Sequence, residues 1–191
     1  MFLTFISQPT IKIMKLSKKM TDALNKQIEM EANAGQLYLA SASWLETQKG
    51  LDGFTKFFYR QSDEEREHML KIIRFVNDRE GHAMIPELKE PRNNYKNIHD
   101  VFDSFVKNER QVTESISKLV DMALSEKDYL TFEFLQWFLK EQFEEEKMAI
   151  TMSEKIKLIG DDKGGLYEFD KDTMKIRKQT SEEAKKDIGG E

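Results

Sequence analysis

An all-α fold, a four-helix bundle with a long crossover after its second helix and a short fifth helical segment, follows from three observations. Apolar residues recur in alternating steps of four and three along four long stretches. Proline is scarce, with 3 in 191 residues, so little interrupts those stretches. Charged residues make up 34 %, which suits long solvated helices rather than sheets. The length fits one domain with a proper core.

The first stripe reads Leu24, Ile28, Glu31, Gly35, Tyr38, Ala42, Leu45. Ser17 is a plausible N-cap for its helix, which should run to about Thr47 before Lys49 and Gly50 break it. The second stripe, Phe54, Phe58, Gln61, Glu65, His68, Ile72, Phe75, predicts a helix from about Leu51 to Arg79. Gly81 suits a left-handed C-terminal cap there. Pro86, Pro91, Asn93 and Asn94 mark a connector without helical period, reaching about Asn97. Ile98, Phe102, Phe105, Glu109, Val112, Ile116 and Leu119 then place a third helix over about Ile98 to Leu124. A polar turn, Ser125 to Asp128, leads into the fourth stripe, Leu135, Phe138, Gln142, Glu145, Ala149, Met152, Ile156, Ile159. Gly160, Gly164 and Gly165 end that helix, and Leu166, Tyr167 and Phe169 predict another turn or two.

The bundle with its short fifth helix is expected to span 14–170. The first thirteen residues, Met1 to Ile13, read as a disordered arm or as an upstream start ahead of a second methionine at Met14. They lack the basic start and small-residue cleavage site of a secretory signal, and they are too short to span a bilayer. Residues 171–191 are charged and weakly periodic, a mobile tail by composition.

Each stripe carries a carboxylate where a core residue belongs: Glu31, Glu65, Glu109 and Glu145. In an antiparallel pair, two residues share a height when their mean position falls in the turn. Glu31 and Glu65 average to 48, inside the first turn, and Glu109 and Glu145 to 127, inside the second. All four should therefore converge on one layer. Unpaired carboxylates there are costly and repel one another, and two divalent cations would neutralise them. Glu65 and His68, three apart, point inward together and can grip one cation, with Glu31 completing the set. Glu109 and Glu145 could hold a second, with Glu65 bridging. Oxygen-rich ligation with one imidazole suits iron(II), manganese(II) or zinc.

The connector tests the topology. A helix of nearly thirty residues is about 40 Å long, and roughly sixteen extended residues reach about 50 Å. The crossover is therefore within reach and is the favoured reading, although the carboxylate heights would also fit a hairpin.

Composition excludes other chemistry. With no cysteine there are no disulfides, thiolate metal sites or thiol nucleophiles. A net charge of −5 argues against nucleic acid as the main partner. His82 and His99 fall at helix ends and receive no role. For Gln61 and Gln142 the plain reading is that they satisfy neighbours by hydrogen bonds.

From Met14 to Phe169 the chain resembles the bacterial non-haem ferritins. The resemblance rests on Glu31 and Tyr38 in EMEANAGQLYLASASW, Glu64, Glu65 and His68 in SDEEREHM, Glu109 in VKNERQVT, and TFEFLQWFLKEQFEEEK from Thr131 to Lys147. It implies iron storage with ferroxidase activity. Glu31, Glu65 and His68 would lie at a first iron, with Glu65, Glu109 and Glu145 at a second and Gln142 nearby. Glu64, Glu141, Glu144 and Glu145 match a third, weaker iron position, and Tyr38 a tyrosine supplying an electron or a hydrogen bond. Dioxygen or hydrogen peroxide would oxidise iron(II), and ferric mineral would fill a cytoplasmic homo-oligomeric shell of 24 subunits. No haem, nucleic acid or membrane is implied. Bacterioferritin-like and rubrerythrin-like relatives carry a second Glu-x-x-His on the fourth helix, where this chain has Gln142 and Glu145. A different di-metal enzyme, such as an oxygenase or manganese catalase, would normally want that second histidine. A purely structural bundle would leave four buried glutamates unpaired.

Overall fold

The computed structural model describes residues 15–173; the expected arm over 1–13 and the tail beyond 173 lie outside it. Four long helices follow in order: α1 (Lys18–Glu46), α2 (Asp52–Asp78), α3 (Ile98–Ser125) and α4 (Tyr129–Ile159). A fifth, α5, covers 163–173, and no strand occurs among the described residues. None of these helices is long and apolar enough to cross a membrane.

Side-chain caps start three of the helices. The Ser17 hydroxyl accepts the Met20 N–H, the Asn97 carbonyl that of Asp100, and the Asp128 carboxylate that of Thr131. No side chain of Leu51, the residue before α2, does the same. Asp170 of α5 reaches across instead, its carboxylate accepting the Gly53 N–H at 2.9 Å and the Phe54 N–H at 2.8 Å. The contact is close: a Cβ on Gly53 would stand 1.9 Å from the Asp170 carbonyl oxygen. Helix propensity would favour alanine at position 53 by about 1 kcal/mol. Gly53→Ala is nevertheless expected to lower stability by about 1–3 kcal/mol, because α5 must shift. Thermal unfolding and proteolysis near α5 would show it.

The end of α2 departs from expectation. Its left-handed residue is Glu80, with φ 54°, and Gly81 does not have positive φ. Gly81 is small for another reason. A Cβ there would lie 2.8 Å from both Val76 Cγ1 and the Val76 carbonyl oxygen.

Two apolar clusters flank the carboxylate layer, and they settle the topology. One joins Leu24, Ile28, Ile72, Val76 and Ala83 to Ile116, Leu119 and Leu135. The other joins Tyr38, Leu45, Phe54, Phe58 and Tyr95 to Phe102, Phe105, Met152, Ile156 and Phe169. The connector leaves α2 at the first cluster through Ala83 and enters the second through Tyr95. It therefore runs the length of the bundle, so α2 and α3 point the same way.

At the first end, Arg79 is buried, its guanidinium donating to Asp128 at 3.0 and 3.1 Å and to Thr131 Oγ1 at 3.1 Å. Burial alone would raise the Asp128 carboxyl, but the Thr131 and Arg79 hydrogen bonds hold it below its usual value. Arg79→Ala strands this carboxylate, with an expected loss of about 3–5 kcal/mol, read as a fall in Tm.

Candidate metal centre

The stripes bury nearly as drawn. Every residue of the first is buried, and Phe75, Ile98 and Ile159, at the ends of the others, are half-buried. Within the layer, Glu31, Glu65, Glu109 and Glu145 are each no more than 4 % exposed, with Tyr38, Gln142 and His68 buried beside them.

Glu31, Glu65 and His68 come together most tightly: one donor atom from each lies within 4.8 Å of the others. Glu65 Oε2 is 3.4 Å from His68 Nδ1. Glu31 Oε2 and Glu65 Oε2 are buried with no hydrogen-bond partner. Two such oxygens beside an imidazole nitrogen fit a hard or borderline cation.

Glu109 and Glu145 do not join that trio; each is held separately. Glu109 accepts from the Tyr38 hydroxyl and, at 2.6 Å, from Gln142 Nε2, which also donates to the Glu109 carbonyl at 3.1 Å. Glu145 accepts from Gln61 Nε2 at 3.0 Å. Glu64 and Glu141 are half-buried and Glu144 exposed. These three close into no comparable donor group among the described residues.

Electrostatics mark the layer as overloaded with negative charge. Burial drives Glu31 well above the usual carboxylate range, and the charge of Glu65 adds to it. Glu65 is pushed up to about 8 by burial, then by Glu109, while the contact with Glu31 works the other way. Burial carries Glu109 to about 7, against the hydrogen bonds from Tyr38 and Gln142. Glu145 is raised by burial and by the charges of Glu109, Glu65 and Glu141. Tyr38 is raised by burial and by Glu109, so its phenol stays protonated and donates.

Gln27, Asn108 and Lys71, which the sequence did not single out, and Trp137 of the TFEFLQWFLKEQFEEEK segment complete the surroundings. Gln27, wholly buried, donates from Nε2 to Glu31 Oε1 at 2.8 Å. Asn108 Nδ2 donates to the Tyr38 hydroxyl at 2.9 Å. The Trp137 ring packs edge-on against His68, centroids 5.5 Å apart, with the Lys71 ammonium 3.6 Å from its centre. Gln27 could have been found, since it lies one turn before Glu31 on nearly the same face. Asn108 leaves no such signal, because its partner is on another helix.

A sequence model of the ferritin-like domain matches residues 21–159. A bacterial non-heme ferritin of Campylobacter jejuni is 41 % identical over 152 residues, covering 80 % of this chain and 90 % of that protein. One from Staphylococcus saprophyticus is 38 % identical over 157 residues, covering 82 % and 93 %. Among solved structures, an open-pore ferritin from the archaeon Archaeoglobus fulgidus superposes with a TM-score of 0.81 at 38 % identity, covering 84 % of this chain and 98 % of its own. Chlorobium tepidum ferritin gives 0.75 at 39 % identity, covering 82 % and 96 %. The same helices that carry the buried carboxylates are the ones matched, and the chain belongs to the ferritin family.

Proposed function

We propose that this protein stores iron. It takes up iron(II) as substrate at paired positions within each subunit, oxidises it with dioxygen or hydrogen peroxide, and holds the product as ferric mineral inside a 24-subunit shell. The observation that carries this reading is the buried layer of Glu31, Glu65, His68, Glu109 and Glu145, with two carboxylate oxygens left without a hydrogen bond. Two divalent cations would balance its four carboxylates. Glu31, Glu65 and His68 would hold the first ion. Glu109 and Glu145 would hold the second, Gln142 beside them and Glu65 between the two.

Two iron(II) ions give up two electrons, which with two protons reduce one dioxygen to hydrogen peroxide. Carboxylate-rich ligation lets the iron(III) product leave, as storage requires. Glu64 and Glu141, half-buried, and Glu144, exposed, would receive it. Glu144→Ala should then keep the first burst of oxidation while slowing later turnovers, measured by successive iron additions. The exposed Met84, Ile85 and Leu88 of the connector, with Tyr129 and Leu130 at the start of α4, are apolar surface that a homo-oligomer would cover. Cytoplasmic iron storage fits this reading. The layer's single histidine disfavours an oxygenase or manganese catalase.

The test adds excess iron(II) in air to the metal-free protein, then sizes the product and counts iron per chain. A large shell holding far more iron than a pair per chain is expected. A small oligomer that stops at the pair would keep the centre but make the protein a soluble oxidase, and uptake of none would remove both.

A further inference from the structure

Three glutamine amides each hold one carboxylate of the layer: Gln27 holds Glu31, Gln61 holds Glu145 and Gln142 holds Glu109. Gln27 is the most constrained of the three. It is wholly buried, and Ser115 of α3 donates from its hydroxyl to Gln27 Oε1 at 2.5 Å. With Oε1 taken, the NH2 group must face Glu31. The flipped amide would set an oxygen against a carboxylate oxygen and lose both hydrogen bonds.

Glu31 thus has one oxygen bound to an amide and the other, Oε2, buried with no hydrogen-bond partner. A cation drawing on both oxygens would compete with the Gln27 N–H for Oε1 and turn the carboxylate away from the amide, at a position buried from solvent. We propose that Gln27, oriented by Ser115, is a positioning residue that makes Glu31 a one-oxygen ligand and keeps the first metal position short of full coordination. An ion held there retains room for a small oxidant and leaves more readily once oxidised. Orientation of a ligand by a partner outside the coordination sphere is a general device of metal sites. The inference rests on the di-metal reading of this layer and assigns the partner on Glu31.

Cobalt(II) is the probe, because the intensity of its visible absorption falls as its coordination number rises. The full-length protein is titrated with cobalt(II) alone, without oxidant. Gln27→Met keeps side-chain volume and removes the donor. Its visible absorbance per bound cobalt should drop by about half or more as Glu31 turns both oxygens to the ion. Ser115→Ala, at a half-buried position, should shift the spectrum the same way by less, and Ser115→Thr, which keeps the hydroxyl, should restore it. A core amide that merely fills space would leave the spectra unchanged. If both Gln27→Met and Ser115→Ala match the parent protein, the inference fails while the metal centre stands. If the parent protein binds no cobalt in the layer, the proposed function fails and takes this inference with it.

Discussion

Glu65→Ala is expected to lower the initial rate of iron(II) oxidation more than a hundredfold, beyond the roughly 10–100-fold typical of losing a partner outside the coordination sphere. In the proposed centre Glu65 would touch both metal positions. It lies within 4.8 Å of the Glu31 and His68 donors, and Glu109 is the neighbouring charge that raises it most. Removing it separates two half-sites, so a pair of electrons can no longer be delivered together. Stopped-flow absorbance after mixing with iron(II) in air reads the effect. The fold should survive, since both apolar clusters are untouched, and the melting curve checks that. An unchanged initial rate in a folded variant would sink the assignment of the bridge.

The second large effect is on stability. Burial raises all four layer carboxyls, Glu65 to about 8 and Glu109 to about 7, from an ordinary value of 4.5. Between those limits the folded chain keeps protons that the unfolded chain has released. The contribution of Glu109 and Glu65 is therefore whole below pH 4.5 and lost as pH climbs through about 7 and about 8. Asp128 acts in the opposite sense. Held below its ordinary 3.8, its contribution is lost only as pH falls through that lower value. Metal-free protein should thus melt on the order of 10 °C lower at pH 8 than at pH 5. Metal reverses the slope, since each ion at a thousandfold excess over its Kd adds about 4 kcal/mol and must displace those protons. Calorimetry with and without zinc(II), across that pH range, would show the two curves crossing apart. A metal-free Tm that rises from pH 5 to 8 would contradict the buried-carboxylate account.

Much of this arrangement is legible in the chain because it is local and periodic. Steps of four and three name the inward faces, and the mean positions of the glutamates place them at one height. The crossover is only half legible. Connector length permits it, but the proof is that Ala83 and Tyr95 pack in opposite clusters. What escapes is long-range or depends on side-chain detail. Asp170 caps α2 from over a hundred residues away, and no local pattern couples it to Gly53. Gly81 reads as a left-handed cap, yet Glu80 takes that conformation and Gly81 answers to the closeness of Val76. Gln27 sits one position off the drawn stripe, so an amide that holds Glu31 passes for an ordinary polar neighbour of the core.

The most direct measurement is a crystal grown metal-free, soaked in iron(II) without oxygen, and recorded at the iron absorption edge. The account predicts two anomalous peaks per chain. One would lie among Glu31, Glu65 and His68, the other between Glu65, Glu109 and Glu145. Peaks confined to exposed acidic side chains, with the buried layer empty, would contradict it.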